Sequence, residues 1–478
     1  MPDYVIYAIE ALVFIVHVSG FALAAHAVMR VRTSQGAIAW AIGLVTFPWL
    51  SIPAYLVLGR SKFQGYVAAR RSGTLKINHV AQDLWHKLAD YHTTVTPHGA
   101  QHRRVMESLA RMPSTGANRA TVLVDGKETF DAIFAAIESA KKYVLVQFFI
   151  IHDDTLGMEL QKRLIGKALD GLAVCLLYDE VGCKYLPSSY LDDLRSAGVE
   201  VSAFNSMRGI RNRFQINFRN HRKIVIVDGL IALCGGLNAG DEYMGLSKKF
   251  GPWRDTHLSL EGPSVLCVQL VFLEDWFWAT GKVPELNWTP TEAVGSDQRV
   301  LVLASGPADD FDTCDLFFTY MIHAAEKRLW ITSPYFVPDD SIVDALQLAA
   351  LRGVDVRIML PQKPDHLLVY LSAFSYLEEM AKAGVKVMRY LPGFMHQKVI
   401  IVDDRVAAVG TANLDNRSFR LNFELTVLVA DEKFTREVDT MLARDFANCR
   451  EAGIEDLNRR SIFFRVMVRV ARLLSPIQ

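Results

Sequence analysis

One motif occurs twice, and any fold for this chain has to accommodate both copies. His221-Arg222-Lys223-Ile224-Val225-Ile226-Val227-Asp228 returns 175 residues later as His396-Gln397-Lys398-Val399-Ile400-Ile401-Val402-Asp403. Each copy runs on into a small-residue turn with an asparagine, Gly235-Gly236-Leu237-Asn238 and Gly410-Thr411-Ala412-Asn413. Upstream, Ala197–Val201 matches Ala383–Val387, and Ala140–Leu145 resembles Ala325–Trp330. A repeat of about 170 residues implies two similar lobes. In each unit, β-branched runs (Tyr143–Ile150, Val174–Tyr178, Leu329–Thr332, Val354–Leu360) alternate with helical stretches (Thr129–Ala140, Met158–Leu169, Ile342–Leu351, Leu371–Ala383). That alternation predicts an α/β architecture with mostly buried sheets flanked by helices.

The motif itself reads as a hairpin. His221 and Lys223 lie two residues apart on an alternating strand, so they share a face. Asp228-Gly229 is a two-residue turn signal. That register pairs Val227 with Leu230, His221 with Gly236 and Lys223 with Cys234, and leaves Asn238 beside the histidine. The second copy, turning at Asp403-Asp404, sets His396 opposite Thr411. Each hairpin thus gathers an imidazole, an ammonium and a carboxamide over a small-residue floor. Such a set suits a phosphodiester. Histidine attacks phosphorus or moves a proton near neutral pH. Lys223 and Lys398 offer compact positive charge to nonbridging oxygens. Gly236 and Thr411 let a phosphate approach the backbone, and Asn238 and Asn413 donate hydrogen bonds. Asp228 and Asp403 complete the motif from turn positions, where a structural role competes with a chemical one. Two hairpins face to face would supply one nucleophile and one general acid. No metal is expected, because the pattern lacks a ligand cluster and the lysines would repel a cation.

The N-terminus adds a membrane signal. Tyr4–Met29 is almost wholly apolar, interrupted by Glu10, His17 and His26, and Gly36–Gly59 carries no charge. Both exceed the roughly 20 residues that a bilayer core requires. They account for much of the positive mean hydropathy of +0.16. A transmembrane hairpin over 1–60 is expected, with Trp40 and Tyr55 at headgroup level and kinks at Pro48 and Pro53. The run is too long, and its start too poor in basic residues, for a cleaved signal peptide. Arg30 and Arg32, then Arg60, Lys62, Arg70, Arg71 and Lys76, place both ends and the large domain in the cytoplasm. A polar tether follows over 61–115, then lobes over 116–285 and 286–455. The segment 456–478 ends the chain with Arg465, Arg469 and Arg472 in one stripe among apolar residues. It reads as an interfacial helix on anionic lipid, or as a helix packed on the second lobe; the stripe favours the former. The six cysteines, without metal spacing, read as buried thiols of a reduced compartment.

The chain has 52 basic and 52 acidic residues. That balance excludes a protein that coats nucleic acid. The positive charge is local: Arg208, Arg211, Arg213, Arg219 and Arg222 crowd the approach to the first motif. They suit anionic headgroups better than a plain solvated loop.

At these residues the chain resembles the phospholipase D superfamily, whose double signature reads HxKxxxxD followed by GxxN. The N-terminal apolar pair, Asn413-Leu414-Asp415-Asn416-Arg417-Ser418 and the ending Ala471-Arg472-Leu473-Leu474-Ser475-Pro476 narrow the resemblance to bacterial cardiolipin synthases of the class A type. It implies two duplicated lobes with the active site at their pseudo-twofold interface, and an enzyme of the bacterial inner membrane. It also implies transfer of a phosphatidyl group from one phosphatidylglycerol to another. Cardiolipin and glycerol form through a phosphatidyl-histidine, with no cofactor. The near-equivalent motifs do not themselves separate nucleophile from acid; the resemblance implies His221 as nucleophile and His396 as acid and base. It further implies a carboxylate that orients each histidine. Glu424 fits His396, and Asp255 takes the corresponding place for His221, six residues out of step. Gly236 departs from the serine frequent there, which removes one hydroxyl. Hydrolysis to phosphatidic acid and transfer to serine or ethanolamine remain the nearest alternatives, then a nuclease or a lipid-binding scaffold.

Overall fold

The computed structural model describes residues 2–31, 33–59, 77, 79–95, 100–204, 218–475 and 478. They fall into two compact units, the N-terminal helices and the body that follows. Arg32, the basic residues 60–76, Arg208, Arg211, Arg213 and Pro476 lie outside the described residues.

In the first unit, Asp3–Arg30 is a 28-residue helix, long and apolar enough to cross a membrane. The second apolar run is not one helix. It divides into Ser34–Thr46 and Pro48–Leu58. Proline cannot donate its nitrogen and disfavours helical backbone before it, and Phe47 accordingly leaves the helical region (φ −131°, ψ 58°). Small residues let the helices approach: a Cβ on Gly20 would lie 2.4 Å from the Leu44 carbonyl oxygen. Tyr55 is 3 % exposed, bonded to His26 Nδ1 at 2.9 Å and edge-on to Trp40. The two rings expected at headgroup level therefore serve helix packing, because His26 needs a polar partner among apolar neighbours.

The body is built on strands β1 (Thr115–Val124), β2 (Tyr143–Phe148), β3 (Ala173–Asp179), β4 (Glu200–Phe204), β5 (Ile224–Val227), β6 (Ile231–Gly235) and β7 (Thr256–Glu261). A second set follows: β8 (Gln298–Ser305), β9 (Arg328–Thr332), β10 (Asp355–Pro361), β11 (Lys386–Tyr390), β12 (Val399–Val402), β13 (Val406–Gly410), β14 (Asn422–Ala430) and β15 (Cys449–Ala452). Among the described residues they form one sheet in the order β4-β3-β2-β5-β6-β7-β1-β8-β14-β13-β12-β9-β10-β11-β15. The order reads alike from each end, β15 apart, and the halves join where β1 pairs antiparallel with β8. β2, β3 and β4 are parallel, as are β9, β10 and β11, while the motif hairpins run antiparallel to them. The sheet is thus mixed and duplicated. Motif strands β5 and β12 are buried at every residue, as strands covered on both faces must be.

Residues 61–115 are not a bare tether where described. Leu84, Leu88 and Met106 are 0–1 % exposed, and Glu107 holds His92 and the Ser114 hydroxyl. The helical stretch 371–383 divides into Leu367–Phe374 and Leu377–Ala383. All six cysteines are free and five are buried.

Candidate active site

Each motif hairpin turns one residue later than its sequence suggests. Val227 pairs with Ile231 and Ile224 with Cys234; Val402 pairs with Val406. The loops hold three residues, not two. Asp228 and Asp403 cause this. Both adopt left-handed backbone, φ 55° and 54°. The Asp228 carboxylate accepts from the backbone nitrogens of Lys141, Lys142 and Tyr143, each at 2.8 Å. Asp403 does the same for Glu326, Lys327 and Arg328. These two motif members lie at the far end of the strands from the histidines, where they tie the hairpin to the start of β2 or β9. Asp228 and Asp403 therefore hold the hairpins in place and, contrary to expectation, do not stand among the groups beside the histidines.

The histidines meet through an exchange between lobes. Arg219–Asn220 pairs with Asn422–Phe423 at the start of β14, and His221 N donates to Phe423 O at 2.9 Å. Reciprocally, Phe394–Met395 pairs with Trp253–Arg254, and His396 N donates to Arg254 O at 2.8 Å. Each histidine is thus carried to the carboxylate of the opposite lobe. His221 Nδ1 lies 3.0 Å from Glu424 Oε2, and His396 Nδ1 lies 2.7 Å from Asp255 Oδ2. The pairing expected from sequence order is reversed. Pairing along the sheet sets Gly235 opposite His257 and Gly410 opposite Thr426, so Asp255 and Glu424 occupy equivalent places despite their unequal spacing.

The acceptors around Nδ1 determine the tautomers. His221 Nδ1 faces only acceptors, Glu424 and Thr411 O at 3.2 Å, so it carries the proton and Nε2 bears the lone pair. His396 Nδ1 likewise donates to Asp255. Burial lowers His221 to about 4, and lowers His396 too; the lysine charges add to the effect, while each carboxylate opposes it. Burial acts to raise Asp255 and Glu424, yet the neighbouring histidines and lysines hold both below ordinary values. Lys223 Nζ donates to His221 O at 2.6 Å, and Lys398 Nζ to His396 O at 2.5 Å. Burial pulls Lys223 down to about 7 and Lys398 to about 8. Each lysine acts on both histidines, so the four groups share one field.

The floor differs between lobes. The Thr411 hydroxyl donates to Glu424 Oε2 at 2.5 Å. A Cβ on Gly236 would lie 2.0 Å from Asp255 Oδ1. Gly236 is therefore required for more than phosphate approach: Gly236→Ser should displace Asp255 from His396 and lower kcat, with the His396 NMR resonances moving. Asn238 does not point an unused amide at the site. It accepts from Ile150 N at 3.1 Å and donates to Tyr243 OH at 3.2 Å. Asn413 donates to Asp415 at 3.4 Å, and its buried Oδ1 has no partner, leaving this carboxamide able to serve a ligand. Arg222, read from sequence as part of a headgroup patch, is buried and bonded to both Asp275 oxygens at 2.7 and 2.8 Å.

Three neighbours went unrecognised in the sequence. Phe149 stands edge-on to His221 at 5.0 Å, and Trp253 packs on His396 at 5.3 Å. Ser418 donates to Glu424 Oε1 at 2.8 Å. The run Trp253-Arg254-Asp255 carried a signal, since a lone acidic residue just before a buried strand needs a partner. Among the described residues no group of three or more His, Cys, Asp or Glu could hold a metal ion.

A duplicated mixed sheet with two carboxylate-held histidines and two buried lysines at its centre defines the phospholipase D-like class. A family model described as "Cardiolipin synthase, PLD-like domain" matches residues 133–248 and 318–446, once in each lobe. The chain belongs to this family. It is 50 % identical over 464 residues to cardiolipin synthase A of Pseudomonas syringae, covering 97 % of each chain. It is equally identical over 470 residues to that of Pseudomonas fluorescens, covering 98 % of each. Among solved structures, phosphatidylserine synthase of Haemophilus influenzae matches 79 % of this chain and 100 % of its own at a TM-score of 0.60 and 15 % identity, a likeness of fold.

Proposed function

We propose that the protein is a membrane-associated cardiolipin synthase that joins two phosphatidylglycerol molecules and releases glycerol. The observation that carries this reading is the crossed pair of histidine–carboxylate contacts, which leaves two Nε2 atoms free for opposite tasks. His221 Nε2 attacks phosphorus, the P–O bond to glycerol breaks, and His396 gives its Nε2 proton to the departing oxygen. The terminal hydroxyl of a second phosphatidylglycerol then returns a proton to His396 and attacks phosphorus. The P–N bond breaks and His221 is restored. Lys223 and Lys398 neutralise charge on the nonbridging oxygens, and the Asn413 Oδ1 accepts from a glycerol hydroxyl of the substrate. Asp255 and Glu424 hold the tautomers.

The assignment of His221 as nucleophile draws support from the carboxylates. Glu424 divides its charge among His221, Thr411, Ser418 and Asn422, whereas Asp255 gives Oδ2 to His396 at 2.7 Å. The less shared carboxylate better sustains an imidazolium, the state an acid needs. Phe149 and Trp253 make the walls apolar and favour a lipid alcohol over water. The helix Asp3–Arg30 anchors the enzyme in the inner membrane, with the body on the cytoplasmic side as the basic flanks suggest.

Incubation of purified enzyme with phosphatidylglycerol alone tests the reading. Cardiolipin and glycerol in equal amounts are expected. Phosphatidic acid as main product would indicate hydrolysis, and no turnover would indicate a scaffold. The pH dependence follows from the buried groups. His221 is neutral above about 4, and Lys223 is charged only below about 7. kcat/KM should therefore rise through about pH 4, begin to fall as His396, lowered from the ordinary histidine value, loses the proton it must donate, and fall further above about 7 as Lys223 and then Lys398 discharge. The limb in kcat should lie higher, because a bound phosphodiester stabilises the ammonium. A profile flat to pH 9 would contradict the lysine roles.

A further inference from the structure

The helix Ile462–Leu473 is docked on the body by one side and uncovered on the other. Val468 and Ala471 are buried, Phe464 meets Phe374 edge-on at 5.3 Å, and Arg472 reaches Glu379 at 2.9 Å. Ser475 and Gln478 beyond it are pinned too. Asn416 Nδ2 donates to Ser475 O at 3.0 Å, and Arg417 N to Gln478 O at 2.8 Å. The orientation of the helix is therefore set, and so is what it leaves exposed. Ile462 (72 %), Phe463 (75 %), Val466 (52 %), Val470 (47 %) and Leu473 (79 %) face outward. At 3.6 residues per turn these five occupy an arc of roughly 100°. Exposed Arg465 and Arg469 follow directly along one edge of that arc.

We infer that this face rests on an anionic phospholipid surface and seats the catalytic body on the bilayer independently of the N-terminal helices. Soluble surfaces seldom leave so continuous an apolar stripe. Its basic border selects the occupant: cations at the rim of an apolar face match phosphate headgroups around acyl chains. A second copy of this chain would bring like charges together. The contact also leads to the chemistry. Asn416 and Arg417, which hold the terminal residues, share a short helix with Ser418, and Ser418 holds Glu424, the partner of His221. The terminal helix is thus linked through Ser475, Asn416 and Ser418 to the carboxylate that holds the reacting histidine. The inference takes its anionic lipid from the proposed reaction, but its test does not depend on turnover.

The test uses the full chain with Cys449→Ser and Phe463→Cys, spin-labelled and reconstituted in vesicles of phosphatidylglycerol and phosphatidylcholine. At 463 the label should be more accessible to oxygen than to an aqueous nickel chelate. A label at exposed Arg436, on the helix Glu432–Ala447, should show the reverse. Equal chelate access at both positions would overturn the inference. So would spin–spin broadening at 463 in lipid-free detergent, which would give the face to a second copy. Kinetics supply a second readout. Val466→Asp with Val470→Asp should raise KM for vesicle phosphatidylglycerol about tenfold. Turnover of a short-chain, monomerically dissolved phosphatidylglycerol should be unchanged. An unaltered vesicle KM would overturn the inference. If the unmodified enzyme made no cardiolipin, the proposed function would fall while the depth measurement still stood.

Discussion

Replacing His221 with alanine should abolish cardiolipin formation, by at least about 10⁴-fold, because the covalent intermediate loses its only nitrogen. His396→Ala should cost a similar factor on phosphatidylglycerol, whose glycerol leaves poorly without a proton. The two variants part company on an activated substrate. A phosphatidyl ester of nitrophenol has a leaving group that needs no acid. His396→Ala should release nitrophenol from it at a substantial rate and accumulate the phosphatidyl-enzyme, since the proton acceptor for the next alcohol is missing. His221→Ala should release none. Rapid quenching and peptide mapping then locate the adduct, expected on His221. An adduct on His396, or rescue of His221→Ala by the activated ester, would exchange the roles of the two histidines. Near-full activity of either variant on phosphatidylglycerol would end the two-histidine mechanism.

The crossed carboxylates lead to the second large effect. Glu424→Gln and Asp255→Asn should each lower kcat by about 10²–10⁴-fold, as expected when a histidine loses the group that holds its tautomer. Both carboxylates are wholly buried, so the isosteric amides preserve shape while removing charge. Their signatures should differ in a way only crossing explains. Glu424 serves His221, so Glu424→Gln should impair the activated ester as much as phosphatidylglycerol. Asp255 serves His396, so Asp255→Asn should be largely rescued by the activated ester. Histidine NMR offers an independent view: Glu424→Gln should move the His221 ring resonances and Asp255→Asn those of His396. The opposite pattern in either experiment would restore the pairing that sequence order suggests.

Much of the architecture was legible in the residues. The doubled motif required two lobes, and the alternation of β-branched runs with amphipathic stretches located four strands and four helical stretches beside the motif hairpins to within a few residues. Local chemistry carries such signals, since side-chain periodicity and turn residues act over short stretches of chain. The second apolar run shows the limit of that approach. Its hydropathy is continuous, but Pro48 divides it, and Tyr55 and Trp40 turn inward because His26 lies across from them. The hairpin register failed for a related reason. Asp-Gly suggested a two-residue turn, yet the Asp228 carboxylate is claimed by three backbone nitrogens from a strand some 85 residues away, and that distant demand sets the loop.

By itself, then, the sequence determined the duplication and the phosphodiester chemistry of histidine and lysine. Both are properties of residue type and of spacing within one repeat. The tertiary structure decided which carboxylate serves which histidine, and removed Asp228 and Asp403 from the reacting centre. It also decided that Asn413, rather than Asn238, keeps a buried polar atom unpartnered. The physical reason is the exchange of short strands between lobes. Arg219–Asn220 joins β14 of the second lobe, and Phe394–Met395 joins Trp253–Arg254 of the first. Contacts between residues some 140 to 200 positions apart obey no local periodicity, so only the packed lobes could reveal them.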